Sequence, residues 1–208
     1  MSDSPLSTLL QRRIDGAYTV DEWGFDPDFV ELLSPLLGAR WSISVEGAQH
    51  IPTEGGAVLV ANRRFGVSEP FVVAGAVRAT TGRVLRVLGI PDIAPVGPFL
   101  RRLGAAQCRP DELGGLLRAG ELTVLFLDRQ PRRGARVGHL DHELLSPAIE
   151  MGVPVIPVAL IGRELGRRWV ASVGEPVVPR TATGFGPLAV AESIDGARRA
   201  IQEALDDR

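Results

Sequence analysis

The sequence predicts an α/β layered fold, a single domain whose mostly parallel or mixed central sheet is flanked by helices. Two observations carry that expectation. Short apolar runs at 57–61, 122–127 and 153–158 alternate with stretches whose apolar residues recur at helical spacing, and Gly and Pro punctuate the junctions. The chain of 208 residues, 45% hydrophobic and 23% charged, is long enough for one sizeable core and shows no repeat or linker that would divide it. Residues 1–25 read as a lead-in and 26–208 as the domain.

Taken in order, Leu6, Leu9, Leu10 and Ile14 suit a short amphipathic turn, with Arg12 and Arg13 on its polar side. Asp26-Pro27 is a cap followed by a first-turn proline. Phe29, Val30, Leu32, Leu33, Leu36 and Leu37 continue that helix, and Gly38 is expected to stop it. Its wide apolar face suits core packing or, alternatively, a membrane surface. Trp41, Ile43 and Val45 alternate with Ser42, Ser44 and Glu46, the pattern of a half-buried strand. A fully apolar strand follows at 57–61, and Ser68-Glu69-Pro70 opens a helix that continues through Phe71, Val72, Val73, Ala76 and Val77. A strand at 83–88, a short helix from Gly97-Pro98 and a short strand at 105–108 come next. Pro110 opens a helix through Leu113, Leu116 and Leu117, closed by Gly120. Beyond the strand at 122–127, residues 128–138 form a loop with four arginines. A helix at about 141–151 precedes the strand at 153–158, whose prolines point to a sheet edge or an irregular position. Residues 169–178 supply another strand or two, and Ile194, Ala197, Ile201 and Leu205 mark a closing amphipathic helix.

Composition excludes several chemistries. All 23 basic residues are arginine, so Schiff-base and lysine-base mechanisms are excluded, as is a phosphate loop that needs its lysine. A single cysteine, Cys108, excludes an internal disulfide and a multi-cysteine metal site, and it reads as a small buried hydrophobe. The formal net charge of −2 argues against general nucleic-acid binding. No signal peptide is visible, and the most apolar stretch, at 153–162, falls short of the roughly 18 residues a membrane span requires. The expected location is the cytoplasm or the inner face of the cell membrane, peripherally bound.

Arginines give the strongest chemical signal. Arg63 and Arg64, Arg101 and Arg102, Arg109, and the group Arg129, Arg132, Arg133 and Arg136 fall near the predicted ends of strands. Convergence of those ends would make a cationic pocket for a phosphate or carboxylate; otherwise they are solvated surface charges. His50 reads as structural. His139-Leu140-Asp141-His142 is the one cluster of imidazoles and a carboxylate, too few ligands for a metal and loosely spaced for a base with its orienting partner. Asp141 serves better as a helix cap. No metal site and no cofactor is expected.

Four stretches together resemble the glycerophospholipid acyltransferase superfamily, of the lysophosphatidic acid acyltransferase type. Val45-Glu46-Gly47 through Ile51-Pro52, then Gly56 to Asn62, is similar to the family's lead-in to its Asn-His turn. Gly97-Pro98-Phe99-Leu100-Arg101-Arg102-Leu103-Gly104 with Gln107-Cys108-Arg109 resembles the segment whose last arginine binds substrate phosphate. Leu122-Thr123-Val124-Leu125-Phe126-Leu127-Asp128-Arg129 looks like the family's Phe-Pro-Glu-Gly block, and Gly152-Val153-Pro154-Val155-Ile156-Pro157-Val158 like its late proline strand. The run from Gly16 to Pro27 looks like that of an actinobacterial branch. Coverage is about residues 16–178.

The departures bear on activity. The resemblance implies a catalytic His-x4-Asp pair directly after Asn62, but Arg63 stands at the histidine position and Ser68 at the aspartate position, with Glu69 beside it. A guanidinium offers no lone pair and holds its proton at any ordinary pH, so Arg63 is no general base. Asp128 stands where the family has glutamate. On the phosphate side the resemblance retains Arg109 and one of Arg132 or Arg133, with Arg64 and Arg129 as further candidates. Three readings follow: a degenerate acyltransferase that binds acyl-CoA or acyl carrier protein and a phosphate-bearing lipid, perhaps beside an active homologue; an active enzyme with another base, His139, His142 or Glu69; and a membrane-surface interaction module.

Overall fold

The computed structural model describes residues 7, 11–12, 14–16, 20–63, 67–89, 93–128, 137–178 and 186–208, and only the backbone of Leu36 and Leu37. Seven strands form one sheet: β1 (Ser42–Glu46), β2 (Ala57–Ala61), β3 (Leu85–Leu88), β4 (Ala105–Ala106), β5 (Leu122–Phe126), β6 (Val155–Gly162) and β7 (Arg168–Val173), in the spatial order β1-β7-β6-β2-β5-β3-β4. Strands β2 to β6 run parallel, β7 is antiparallel to β6, and β1 is parallel to β7. The α/β layered expectation with a mixed sheet is met.

Among the described residues the sheet is flanked by the α-helices α1 (Pro27–Arg40), α2 (Ser68–Thr81), α3 (Val96–Arg102), α4 (Pro110–Arg118), α5 (His142–Glu150) and α6 (Pro187–Asp206). On one face α4, α5 and α6 press Leu113, Leu116, Leu145, Ile194 and Ile201 against Val58, Val60, Leu125 and Val155. On the other, α2 lays Val72, Val73, Ala76 and Val77 on Leu59, Val124, Ile156 and Trp169. The central strand β2 is buried on both faces, which is why it reads as an unbroken apolar run.

Two expectations are corrected here. Gly38 does not end α1, which runs on to Arg40. A helical glycine costs only about 1 kcal/mol, and the loop after β6 holds the helix end: Arg40 donates to the Gly166 carbonyl at 3.1 Å, and Arg167 donates to that of Ala39 at 2.9 Å. Nor is β6 an edge strand, despite Pro157. It pairs with β2 on one side and β7 on the other. The Pro157 carbonyl accepts from Gly174 N–H at 2.9 Å, so the missing proline donor faces the side where β7 has already ended at Val173.

The residues before α1 are tied to β3. Arg86 is only 3% exposed, yet it ion-pairs with Asp21 and, at 3.0 Å, with Glu121, while its guanidinium stacks over Phe25 at 4.6 Å. A buried arginine persists only with such partners. One glycine is required by geometry. Gly47, at φ 70°, would drive a Cβ to 2.0 Å from the Val173 carbonyl, and it lets His50 Nδ1 reach that same carbonyl at 3.1 Å, the structural role expected for this histidine.

Candidate functional site

Where β2 ends, Asn62 turns its amide back into the sheet. Its Nδ2 donates to the Leu160 carbonyl at 3.0 Å, and its Oδ1 accepts from Leu160 N–H at 2.6 Å. This fixes the exit of β2 to β6 and thereby places the next residue. Arg63 is half-buried, with its guanidinium over the Phe126 ring at 5.5 Å. Arg64 lies outside the described residues.

Arg63 also lines a cavity of about 710 Å³ between α1, α2, α3 and the sheet. Helix α2 contributes Ala74 and Gly75 to its wall, both with little or no side chain. Val30 and Ser34 of α1, Trp41, Ile43 and Phe71, and Val87, Leu100 and Leu103 supply most of the remaining wall. The wall is dominantly apolar. Its charged members among the described residues are Arg63 at the exit of β2 and Arg78 near the end of α2. A concave apolar space of this size with a few polar groups is what a small-molecule site requires.

The N-terminus of α2 is held by a carboxylate from the loop between β6 and β7. Glu164 Oε1 accepts from both Ser68 N–H and Ser68 Oγ at 2.9 Å. The charge satisfies an unpaired helix donor and complements the positive end of the helix dipole. The Glu164 carbonyl in turn accepts from Arg40 at 3.4 Å, and Arg40 stacks over Trp41, whose ring lies on that of Phe71 at 5.8 Å. Glu164 is 96 residues from Ser68 in the chain. Sequence reasoning missed it, because a lone glutamate after a strand carries no pattern.

The other sequence candidates are scattered. Ser68 and Glu69 are both buried at the start of α2, 3% and 1% exposed. Arg109 and Asp128 follow β4 and β5, so they leave the sheet at the same end as Arg63. Arg109 is exposed and paired with Asp111 at 2.9 Å; Asp128 is exposed, its N–H donating to the His139 carbonyl at 2.8 Å. Arg129, Arg132, Arg133 and Arg136 lie outside the described residues. Arg101 and Arg102 do not join a pocket at the strand exits: they end α3, before β4 begins, and Arg101 pairs with Glu112 at 3.4 Å. His139 and His142 are exposed and neither is among the cavity-lining residues; Asp141 caps α5 by accepting from Glu143 N–H at 3.0 Å. Cys108 is exposed rather than buried as expected, because β4 ends at Ala106 and the chain has already left the sheet. Its thiol is nevertheless pushed above the ordinary value, by desolvation first and by the Asp141 charge second. Among the described residues no three His, Cys, Asp or Glu side chains are grouped to hold a metal.

No family model matches the chain. An uncharacterised protein of Mycobacterium tuberculosis is 31% identical over 176 residues, covering 75% of this chain and 49% of the relative. An uncharacterised protein of Mycobacterium leprae is 30% identical over 193 residues, covering 78% of this chain and 52% of the relative. The chain thus spans about half the length of the curated relatives it matches. Among solved structures, the 1-acyl-sn-glycerophosphate acyltransferase PlsC of Thermotoga maritima superposes with a TM-score of 0.59 over 86% of this chain and 78% of that one, at 20% identity. With its seven-stranded sheet, flanking helices and this superposition, the chain has an acyltransferase-like fold.

Proposed function

We propose that this chain binds a long-chain acyl group in the cavity beneath α1, carried by an acyl thioester or a phosphate-bearing lipid whose anionic part lies at the Arg63 end. The observation that carries the reading is the cavity itself: about 710 Å³, walled mainly by apolar side chains, with Arg63 in its wall where β2 leaves the sheet. Arg109 leaves the sheet at the same end, where it pairs with Asp111. The acyltransferase-like fold supports the assignment to glycerolipid or phospholipid metabolism, with coenzyme A or an acyl carrier protein as the thioester's carrier.

In this reading residue 63 binds but does not take a proton, and neither Arg63 nor Ser68 supplies the general base that acyl transfer to a hydroxyl requires; losing such a base costs roughly 10²–10⁴ in rate. Loading from a membrane surface is favoured by Ile93, Val96 and Phe99, exposed on and before α3, with Phe99 edge-on to Phe29 of α1 at 5.5 Å. No helix among the described residues is long and apolar enough to cross a membrane.

The test is thermal denaturation of the purified chain with long-chain acyl-CoA and, separately, lysophosphatidic acid. At a ligand concentration a hundredfold above Kd the stabilisation is about 2.7 kcal/mol, a shift of several degrees. Ala74→Trp, which fills the cavity from the outer face of α2, abolishes the shift and leaves the unliganded Tm close to that of the parent. A parent protein whose melting ignores both ligands is not an acyl binder.

A further inference from the structure

The turn between β6 and β7, residues 163–167, presents charge of one sign. Arg163 and Arg167 are exposed, as is Arg168 at the start of β7, and none of the three is paired with a carboxylate among the described residues. Arg167 spends an N–H on the Ala39 carbonyl, which leaves its charge uncompensated. The one acidic residue of the turn, Glu164, faces inward: its Oε1 holds Ser68 and its Oε2 is buried. Beside it Leu165 is 91% exposed, more than any other large apolar side chain among the described residues. A lone exposed leucine means little, but this one has company. Strand β6 runs parallel to β2, as β3 does to β5 and β5 to β2, so the turn stands at the end where those strands exit. Val67, 67% exposed, precedes the Ser68 that Glu164 holds, and Ile93, 68% exposed, follows the exit of β3. Val67 and Arg63 are both in the cavity wall, so the turn sits beside the Arg63 end of the cavity.

We propose that the β6–β7 turn docks this chain on an anionic lipid bilayer: Leu165 enters the interface, Arg163, Arg167 and Arg168 meet the headgroup phosphates, and the Arg63 end of the cavity comes to face the membrane. The charge complementarity selects an anionic surface over a neutral one. The form of the apolar groups selects a bilayer over a folded partner. Leu165, Val67 and Ile93 project singly from three separate segments. A protein interface needs a contiguous, shape-matched core, whereas fluid hydrocarbon receives isolated side chains of any outline, and long arginine side chains reach the headgroups around them. Glu164 serves the surface by its orientation: with its carboxylate held on Ser68, no negative charge of the turn opposes the headgroups. The inference deepens the acyl-binding reading and rests on it for the lipid nature of the partner, since a ligand with a long acyl chain is stored in the bilayer rather than in water.

The experiment measures co-sedimentation of the full chain with vesicles of phosphatidylcholine alone and of phosphatidylcholine with about one-third phosphatidylglycerol, beside the acyl-CoA melting shift. The parent is expected to partition on the anionic vesicles about tenfold or more above the neutral ones, with the excess falling as salt is raised. The double variant Arg163→Ala with Arg168→Ala lowers partition on the anionic vesicles about thirtyfold. Leu165→Ser lowers it about tenfold. Neither variant changes the acyl-CoA melting shift, because none of these three residues lines the cavity. A parent that binds acyl-CoA but ignores the anionic vesicles, or binds both vesicles alike, overturns the docking surface and leaves the acyl-binding reading standing. Variants that partition as the parent does overturn it too. If they instead lose affinity for a palmitoylated acyl carrier protein, the turn receives an acidic protein and not a bilayer. Charge-dependent partition that both variants weaken, in a chain whose melting ignores acyl-CoA, supports the docking surface and brings down the acyl-binding reading alone.

Discussion

On one face of the sheet α4, α5 and α6 lie directly on the strands, and leucines and isoleucines at helical spacing fill the layer between. On the other face, among the described residues, α2 lies on the sheet, and α1 and α3 help to wall a cavity. The difference is written in side-chain size. Leu113, Leu116 and Leu117 pack in the closed layer, whereas α2 gives the cavity wall Ala74 and Gly75. The closed layer is packed like a protein interior, and the open one keeps a concave apolar space.

The largest expected effect tests the closed face. Leu116→Ala should cost about 2–5 kcal/mol in urea unfolding, since its side chain is fully buried. The matching truncation under the roof, Val30→Ala, removes a partly exposed side chain and should cost less than about 1 kcal/mol. Equal losses would erase the distinction between the faces. Next comes Arg86→Met, which leaves Asp21 and Glu121 unpaired and should cost about 2–3 kcal/mol. That is below the usual 3–5 for a fully buried pair, because both carboxylates are about a quarter exposed. Smaller again is Asp26→Ala, where the lost cap bond to Phe29 N–H at 2.9 Å should cost about 1 kcal/mol and loosen the start of the roof helix. Hydrogen exchange would show that loss confined to α1. Smallest is the thiol. With its ionisation pushed upward, Cys108 should alkylate with iodoacetamide at pH 8 more slowly than a free cysteine, despite its exposure. The thiol form is the one the fold favours, so the effect fades as pH rises past the shifted value.

Most of the layer order was legible because burial and periodicity are local signals. The strand 57–61 is apolar throughout since both its faces are covered, and β1 alternates since one of its faces is not. The errors came from long-range compensation. Pro157 sits inside the sheet because β7 stops beside it, and α1 passes Gly38 because its own Arg40 and Arg167 of a distant loop tie its end to that loop. The cavity was invisible for the same reason: Ala74 and Gly75 read as ordinary helix residues until the rest of its wall is assembled. Of the site, Arg63 and Ser68 were legible by their place in a motif. Glu164, supplied from the far side of the sheet's antiparallel corner, was not.

That corner has a consequence for how the chain comes together. Among the described strands β1 is hydrogen-bonded to β7 alone, so it has no sheet neighbour until residues 168–173 have been synthesised. An early strand that must wait is a hazard, since its open edge can recruit another molecule. Ser42, Ser44 and Glu46 occupy every second position of β1 and remain exposed even after docking. A strand that is polar along one side is a poor template for a stranger, and so it can wait safely for its partner to emerge.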